Sequence, residues 1–314
     1  MVSDTPVKLY MAPLQSYTTS FYRKAHAMTF GHMDKYFTPF FDDADTSLNN
    51  LNKHLELLPS FNKKLRIVPQ LASNSPRFLI DFANEVRSLG YHEINLNMGC
   101  PFPMLVKRDK GGGLLAKPEL VKQLLESFYS ETENMQLSLK IRLGINDIEE
   151  GRTIVKLAND YPIEELIIHP RLVTQKYSGD VNWDEFETLC SLSDHRLIAN
   201  GDINSHADAC TIIDRFSSVK GLMLGRGLLM HPALPASILK HKHNNQLMDL
   251  HENYFHLITD HYTNWNQAFN YLLTFWHYPL SINQDLKRHL RKLKKHNKPD
   301  IYQDWLKQLR ILVS

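Results

Sequence analysis

The sequence predicts an α/β fold, a (β/α)8 TIM barrel followed by a small C-terminal all-helical domain, on three observations. Eight short β-rich runs recur along the chain, each is followed by a segment of helical period, and polar, reactive residues collect where the runs end. Eight strand–helix units in about 240 residues match the usual size of such a barrel. An open doubly wound sheet is the alternative, but no GxGxxG follows an early run, which removes the main support for its dinucleotide-binding version.

The runs cover residues 7–13, 35–40, 66–71, 93–99, 137–143, 165–170, 196–201 and 221–227. After the third, Ser75 is a helix N-cap followed by Pro76 at the first helical position, and Gly90 stops that helix. After the fourth, Lys117-Pro118 opens a helix with Leu120, Val121, Leu124 and Leu125 on one face. After the seventh, Asn204 is placed to cap the helix that carries Ala207, Ile212 and Ile213. Past about Lys240 the β pattern stops. Residues 251–262, 265–276, 284–295 and 301–312 then read as amphipathic helices behind the linker-like HKHNNQ. The division expected is a barrel over residues 1–240 and a helical domain over 241–314.

Composition narrows the class. With 43% hydrophobic and 22% charged residues in 314, the chain has the make-up of a soluble globular protein. Its apolar runs reach only a few residues, against roughly 20 for a membrane span. The start, MVSDTPVKLYMAP, has no basic segment followed by an apolar one, so no secretion is expected. Cys100, Cys190 and Cys210 lack metal-type CxxC spacing, so no metal site is expected and a reducing cytoplasm is. The net charge of +2 hides an asymmetry: from Lys240 onward there are 11 Lys+Arg against 6 Asp+Glu, and 8 of the 16 histidines. A basic, aromatic-bearing tail suits a polyanionic partner, although a solvated helix face has the same composition.

Active sites of such barrels lie at the C-terminal strand ends. There the chain places Gln70 on the third strand, Asn97 and Cys100 on the fourth, and Lys140 and Arg142 on the fifth. His169 and Arg171 follow on the sixth, Asn200 and Asp202 on the seventh, and Gly225-Arg226 on the eighth. IANGDI and LGRG offer small residues that let backbone N–H groups approach an anion near a helix N-terminus, with Arg226 adding charge. A flavin mononucleotide and a phosphorylated sugar fit that pattern equally. Lys140 suits either a Schiff base or a positive charge beside a flavin, and Arg142, two residues on and on the same strand face, fits a flavin or other anion at least as well. Cys100, in NMGCP before the Gly-rich KGGGLL, is either positioned to meet substrate or an inert packing thiol. Cys190 and Cys210, on helices, read as packing residues.

Together MAPLQSYTTSFYR, QLASNSP, INLNMGCP, GGGLL, LKIRLG, IIHPR, IANGDI and LMLGRG make the sequence resemble the tRNA-dihydrouridine synthases across the whole barrel. The resemblance implies FMN as cofactor, NADPH (or NADH) as electron donor and tRNA as partner, with no protein partner and a monomer as the default. It further implies that Pro13, Leu14 and Gln15 lie along the flavin, that Gln70 hydrogen-bonds its ring and that Lys140 sits near the ring and ribityl chain. His169, Asn200, Gly201, Asp202, Gly225 and Arg226 belong, on the same basis, to the phosphate side. Asn97, Arg171 and Gln175 match positions facing the target nucleotide. The expected reaction reduces the uracil 5,6 double bond in the tRNA D-loop, with hydride from reduced FMN added at C6 and Cys100 protonating C5 as general acid. A thiol of ordinary pKa, about 8.5, is protonated at neutral pH and suits that role.

This chain departs from the family pattern at Leu14 and Ser16 in the first loop, where methionine and glycine are usual, at Pro170, and at the bulky Phe102 after the cysteine. The rival readings are an FMN barrel oxidoreductase acting on a small dihydropyrimidine or dihydroorotate, a Lys140 Schiff-base aldolase, and a non-catalytic tRNA-binding barrel. The basic tail, with Lys287, Arg288, Arg291, Lys294 and Lys295, separates the tRNA enzyme from the first.

Overall fold

The computed structural model describes residues 7–31, 33–43, 46–241, 246–294 and 297–313. Among these residues, parallel strands form in the order expected: β1 (Lys8–Met11), β2 (Lys35–Phe37), β3 (Phe41–Asp42), β4 (Ile67–Val68), β5 (Gln70–Ala72), β6 (Glu93–Met98), β7 (Gln136–Arg142), β8 (Leu166–His169), β9 (Leu197–Asn200) and β10 (Val219–Leu224). β1 pairs with both β10 and β2, and β5 through β10 pair in sequence.

The second and third runs are each split in two, and the split has a chemical cause. Pro39 and Pro69 have no N–H to give to a ladder. β2 therefore pairs with β4 (Phe37 beside Val68) and, beyond the prolines, β3 pairs with β5 (Phe41 beside Leu71). The gap is bridged by side chain and backbone: Gln70 N–H donates to the Thr38 hydroxyl at 3.0 Å and Asn95 N–H to the Pro69 carbonyl at 2.9 Å. Counted as staves, the strands close into eight, as the sequence predicts.

Strand alternation sorts the side chains. Tyr10, Ala12, Phe37, Val68, Ile167, Ile198 and Met223 form one buried cluster inside the barrel, while Leu9, Met11, Leu96, Ile141 and Ile168 pack with the surrounding helices. The helix Pro76–Ser88 is capped by Ser75, whose Oγ accepts from Phe78 N–H, and Gly90 follows it at φ 92°. One expected cap is corrected. Ser205, not Asn204, caps the helix His206–Arg215, because its partner three residues on is Asp208, whose carboxylate reaches back to complete a capping box.

Helices Leu247–His261, Trp265–Trp276, Gln284–Leu293 and Pro299–Val313 follow the barrel. The first starts four residues earlier than expected and packs along Ser20–Phe30, the helix after β1. Its His251 is a core residue: buried, and pushed down to about 3 by that burial, it shares the Tyr302 hydroxyl with the Trp276 indole. HKHNNQ falls mostly outside the described residues, as does Lys295. Among the described residues, no helix is long and apolar enough to cross a membrane.

The floor of the barrel holds a buried charge cluster. Lys35 Nζ donates to Glu93 at 2.9 Å and to Glu165 at 2.7 Å, and the Tyr10 hydroxyl donates to Glu165 at 2.5 Å. Taking the lysine away leaves two buried carboxylates facing each other. Lys35→Met should therefore lower the unfolding free energy by about 3–5 kcal/mol. The check is a urea titration with an unchanged slope and a lower midpoint; a loss under about 1 kcal/mol would mean the cluster is not an ion-pair lock.

Candidate active site

At the C-terminal ends of the strands, where barrels of this kind carry their active sites, lies an open cleft. Its walls come from the loop after β1, the ends of β6 to β10 and the loop after β8. Residues two apart on a strand share a face, so Asn95 and Asn97 on β6, and Ser138, Lys140 and Arg142 on β7, all turn toward the barrel axis.

A neutral hydrogen-bonded spine crosses beneath the cleft. Asn95 Nδ2 donates to Ser138 Oγ (3.0 Å), Gln70 Nε2 to Asn95 Oδ1 (2.7 Å) and Asn97 Nδ2 to Gln70 Oε1 (2.8 Å). Asn97 Oδ1 then accepts two consecutive backbone N–H groups, of Gly99 (3.1 Å) and Cys100 (2.9 Å). The Cys100 carbonyl accepts from Gly112, which is held so close that a Cβ there would collide with Val173. The Gly-rich loop is thus bound to the thiol-bearing turn.

Electrostatics in the cleft are one-sided. Burial, then the neighbouring Arg142, pushes Lys140 down to about 7. Arg142 is itself pushed down to about 10, by burial first, and donates to the Leu172 carbonyl at 3.0 Å. Neither is ion-paired among the described residues. Burial and the surrounding cations hold His169 neutral, well below its ordinary value. Because Arg171 donates to His169 Nε2 at 3.2 Å, the ring proton sits on Nδ1. Burial raises the Cys100 thiol above its usual value despite Lys140 and Arg142 nearby, so it is a protonated acid at neutral pH.

At the other end, Gly201 (φ 139°) and Gly225 line the wall with Arg226. A Cβ on Gly225 would point into open space, with only the Ala12 Cβ near, at 3.8 Å. Asp202 is clamped between Arg171 and Arg226, the latter at 2.6 Å. Burial works against its charge, but the two guanidiniums outweigh this and hold the carboxyl below its ordinary range. The first loop is latched by Thr18, whose hydroxyl donates to the Ala12 carbonyl and accepts Leu14 N–H, both at 2.8 Å.

Pro13, Leu14, Gln15, Asn97, Cys100, Lys140, His169, Asn200, Gly201, Asp202, Gly225 and Arg226 all line this cleft. Gln70, Arg171 and Gln175 are not among its lining residues. Gln70 is fully buried with both ends of its amide spent on Asn95 and Asn97, so it supports the wall from behind. Arg171 is 1% exposed and bonded to Gly179, His169 and Asp202, and it lines the neighbouring recess with Tyr278 and Ser281. Gln175 accepts Leu172 N–H at 2.7 Å and staples its own loop. The structure adds Phe40 and Tyr177 to the lining. The Tyr177 ring lies 4.7 Å from the Arg226 guanidinium and 5.4 Å from that of Arg142, a contact that no local motif announces.

Comparison with known proteins is consistent in both sequence and fold. A family model described as dihydrouridine synthase (Dus) matches residues 10–310. The tRNA-dihydrouridine(16) synthase of Vibrio vulnificus is 32% identical over 185 residues, covering 58% of this chain and 57% of that protein. A probable tRNA-dihydrouridine synthase of Staphylococcus epidermidis is 29% identical over 171 residues, covering 53% and 52%. The chain thus spans little more than half the length of these relatives. In fold it resembles a variant of NCR from Zymomonas mobilis (TM-score 0.51, 15% identity, 79% of this chain and 90% of that one). It also resembles TcOYE with pHBA (TM-score 0.56, 10% identity, 79% and 92%).

Lys140 supplies a test of the cleft's charge. Its folded value lies below the unfolded one, so between about pH 7 and 10.5 the unfolded chain binds the extra proton and stability rises with pH. Lys140→Met should remove that slope and raise the Tm of the ligand-free protein, most at pH 7 and below. A Tm that falls, or a gain as large at pH 10 as at pH 7, would show that the lysine is not held in an unfavourable field.

Proposed function

The chain belongs to the dihydrouridine synthase family, and from that premise we propose that it reduces a D-loop uridine of tRNA to 5,6-dihydrouridine with bound FMN, at the expense of NADPH or NADH. The observation that carries this reading is a protonated thiol, Cys100, on the wall of the cleft that holds two cations without carboxylate partners among the described residues, Lys140 and Arg142.

The cleft fits the cofactor on its own features. Positive charge at Arg142, and at Lys140 when it is protonated, suits an electron-rich ring system, and the open space above Gly225, beside Arg226, suits a phosphate. Pro13, Leu14 and Gln15 would line the ring, Lys140 would lie against it, and His169, Asn200, Gly201, Gly225 and Arg226 would surround the phosphate side. Asp202 takes a different part, orienting Arg226. When bound, the flavin supplies the hydride that is added at C6 of the base. The protein's part is the proton: Cys100 delivers it to C5, and burial keeps it on sulfur until charge develops on the substrate. Asn97 and, behind it, Gln70 hold the turn that aims the thiol. Lys140 offsets charge that develops on the substrate.

The base must leave its stack to reach this depth, which costs least in a loop. The rest of the tRNA would lie on the basic helix Gln284–Leu293. Leu290 and Leu293 bury one side of that helix, while Arg288, Arg291, Lys292 and Lys294 are exposed. The segment leading into this helix already borders the cleft: Tyr278 and Ser281 line a recess with Arg226 and Asp202.

The purified protein should be yellow, and tRNA from cells lacking it should lose one dihydrouridine. Cys100→Ala should keep the colour and lose at least ~100-fold in tRNA reduction, the usual scale for general acid catalysis. Full turnover by that variant would remove the thiol from the chemistry. Affinity for tRNA should fall as salt rises, and Arg291→Ala with Lys294→Ala should flatten the log–log slope by about 2. An unchanged slope would place the tRNA elsewhere.

A further inference from the structure

A second cleft adjoins the first. It shares Gln15, Phe40 and Cys100 with it, but contains none of Lys140, Arg142 or His169. We propose that this second cleft receives the unstacked base of the nucleotide next to the one being reduced, with the Phe102 ring as its stacking platform. This rests on the reading of the chain as a tRNA-reducing enzyme.

Three features select a nucleic-acid base. The first is continuity: Cys100 stands on the boundary between the clefts, so a strand that presents one base to the thiol carries its neighbour toward the second cleft. The second is the character of the rim. Phe102 and Met104, on the short turn after Cys100, are 53% and 56% exposed, and Lys107 and Arg108 are exposed just beyond them. An exposed aromatic ring, here Phe102, with cations alongside is the combination that binds single-stranded nucleic acid, by stacking and by phosphate contact. The third is charge: both acidic residues of this cleft are already engaged. Asp42 accepts from Lys110 Nζ at 2.8 Å, a lysine it shares with Asp43, and Glu56 pairs with Arg23 at 2.5 Å, so repulsion of a phosphate strand is reduced, though not abolished.

The test separates binding from turnover. A labelled D-arm stem-loop RNA is titrated into the FMN-loaded protein, with and without an abasic residue beside the target uridine. Phe102→Ala should weaken binding of intact RNA by roughly 5- to 150-fold, the span of base–aromatic stacking. The abasic RNA should bind the unaltered protein with a comparable loss, and Phe102→Ala should add little to it. Phe102→Tyr should restore affinity, and flavin reduction by NADPH without RNA should be unchanged in all variants. Equal affinity of Phe102→Ala and the unaltered protein, or additive losses, would overturn the proposal. So would a weakened affinity for NADPH, which would assign the cleft to the dinucleotide. RNA binding through Phe102 in a protein that forms no dihydrouridine would support the cleft's occupant and overturn only the functional reading.

Discussion

Cys100 stands where it does because one carboxamide oxygen, that of Asn97, accepts two successive backbone N–H groups of the turn after β6. A turn fixed this way leaves its side chain little freedom. Asn97 is in turn held by Gln70, and Gln70 by Asn95. All of these links are neutral. That matters in a site that also holds Arg142 and Arg226, because a charged partner behind the turn would have moved the thiol toward thiolate or added to the repulsion. Uncharged amides supply rigidity without altering the field, and in a buried setting each satisfied link is costly to break.

The field itself comes from placing Lys140 and Arg142 on one strand face with no carboxylate paired to either among the described residues. The carboxylates nearby have been assigned elsewhere: Asp202 to Arg171 and Arg226, and Glu93 and Glu165 to Lys35 at the opposite end of the barrel. The axis of the barrel is therefore polarised, with compensated charge at its floor and uncompensated positive charge at its mouth. Such an arrangement costs stability in the protein alone and favours any anion that enters, which is the usual exchange at a preorganised site.

Most of the barrel was legible because strand alternation and strand-end chemistry are local signals. The run EINLNM shows three inward polar positions, and KIR shows two inward cations, whatever the rest of the chain does. What the sequence could not convey was the fate of side chains whose partners lie far along the chain. Gln70 ends its strand as a ligand-facing residue does, yet meets Asn95 and Asn97, 25 and 27 residues on. Arg171 follows a cleft histidine but turns inward to Asp202, 31 residues on. The split of the second and third staves was written in Pro39 and Pro69, but the Thr38 hydroxyl that bridges the gap is recognisable only once the strands are paired. Tyr177 gave no signal at all, since its ring lies against two guanidiniums, of Arg142 at the end of β7 and of Arg226 after β10, that are far from it in sequence.

The first loop shows how such a site tolerates a locally unfavourable residue. Ser16 occupies φ 68°, a left-handed conformation that costs a residue with a Cβ roughly 1–2 kcal/mol and is free for glycine. The loop keeps its form because its neighbours over-determine it. Thr18 is buried, and its hydroxyl is bonded on both sides, to Ala12 and Leu14; the Ala12 N–H is bonded to Leu224 of the adjoining strand. These bonds tie the segments on both sides of Ser16 to the barrel. The strain is localised in one residue at the meeting of the two clefts, where Gln15 lines both and Ser16 lines the second. A serine there gives up backbone ease and places a hydroxyl at the rim where a glycine would offer none.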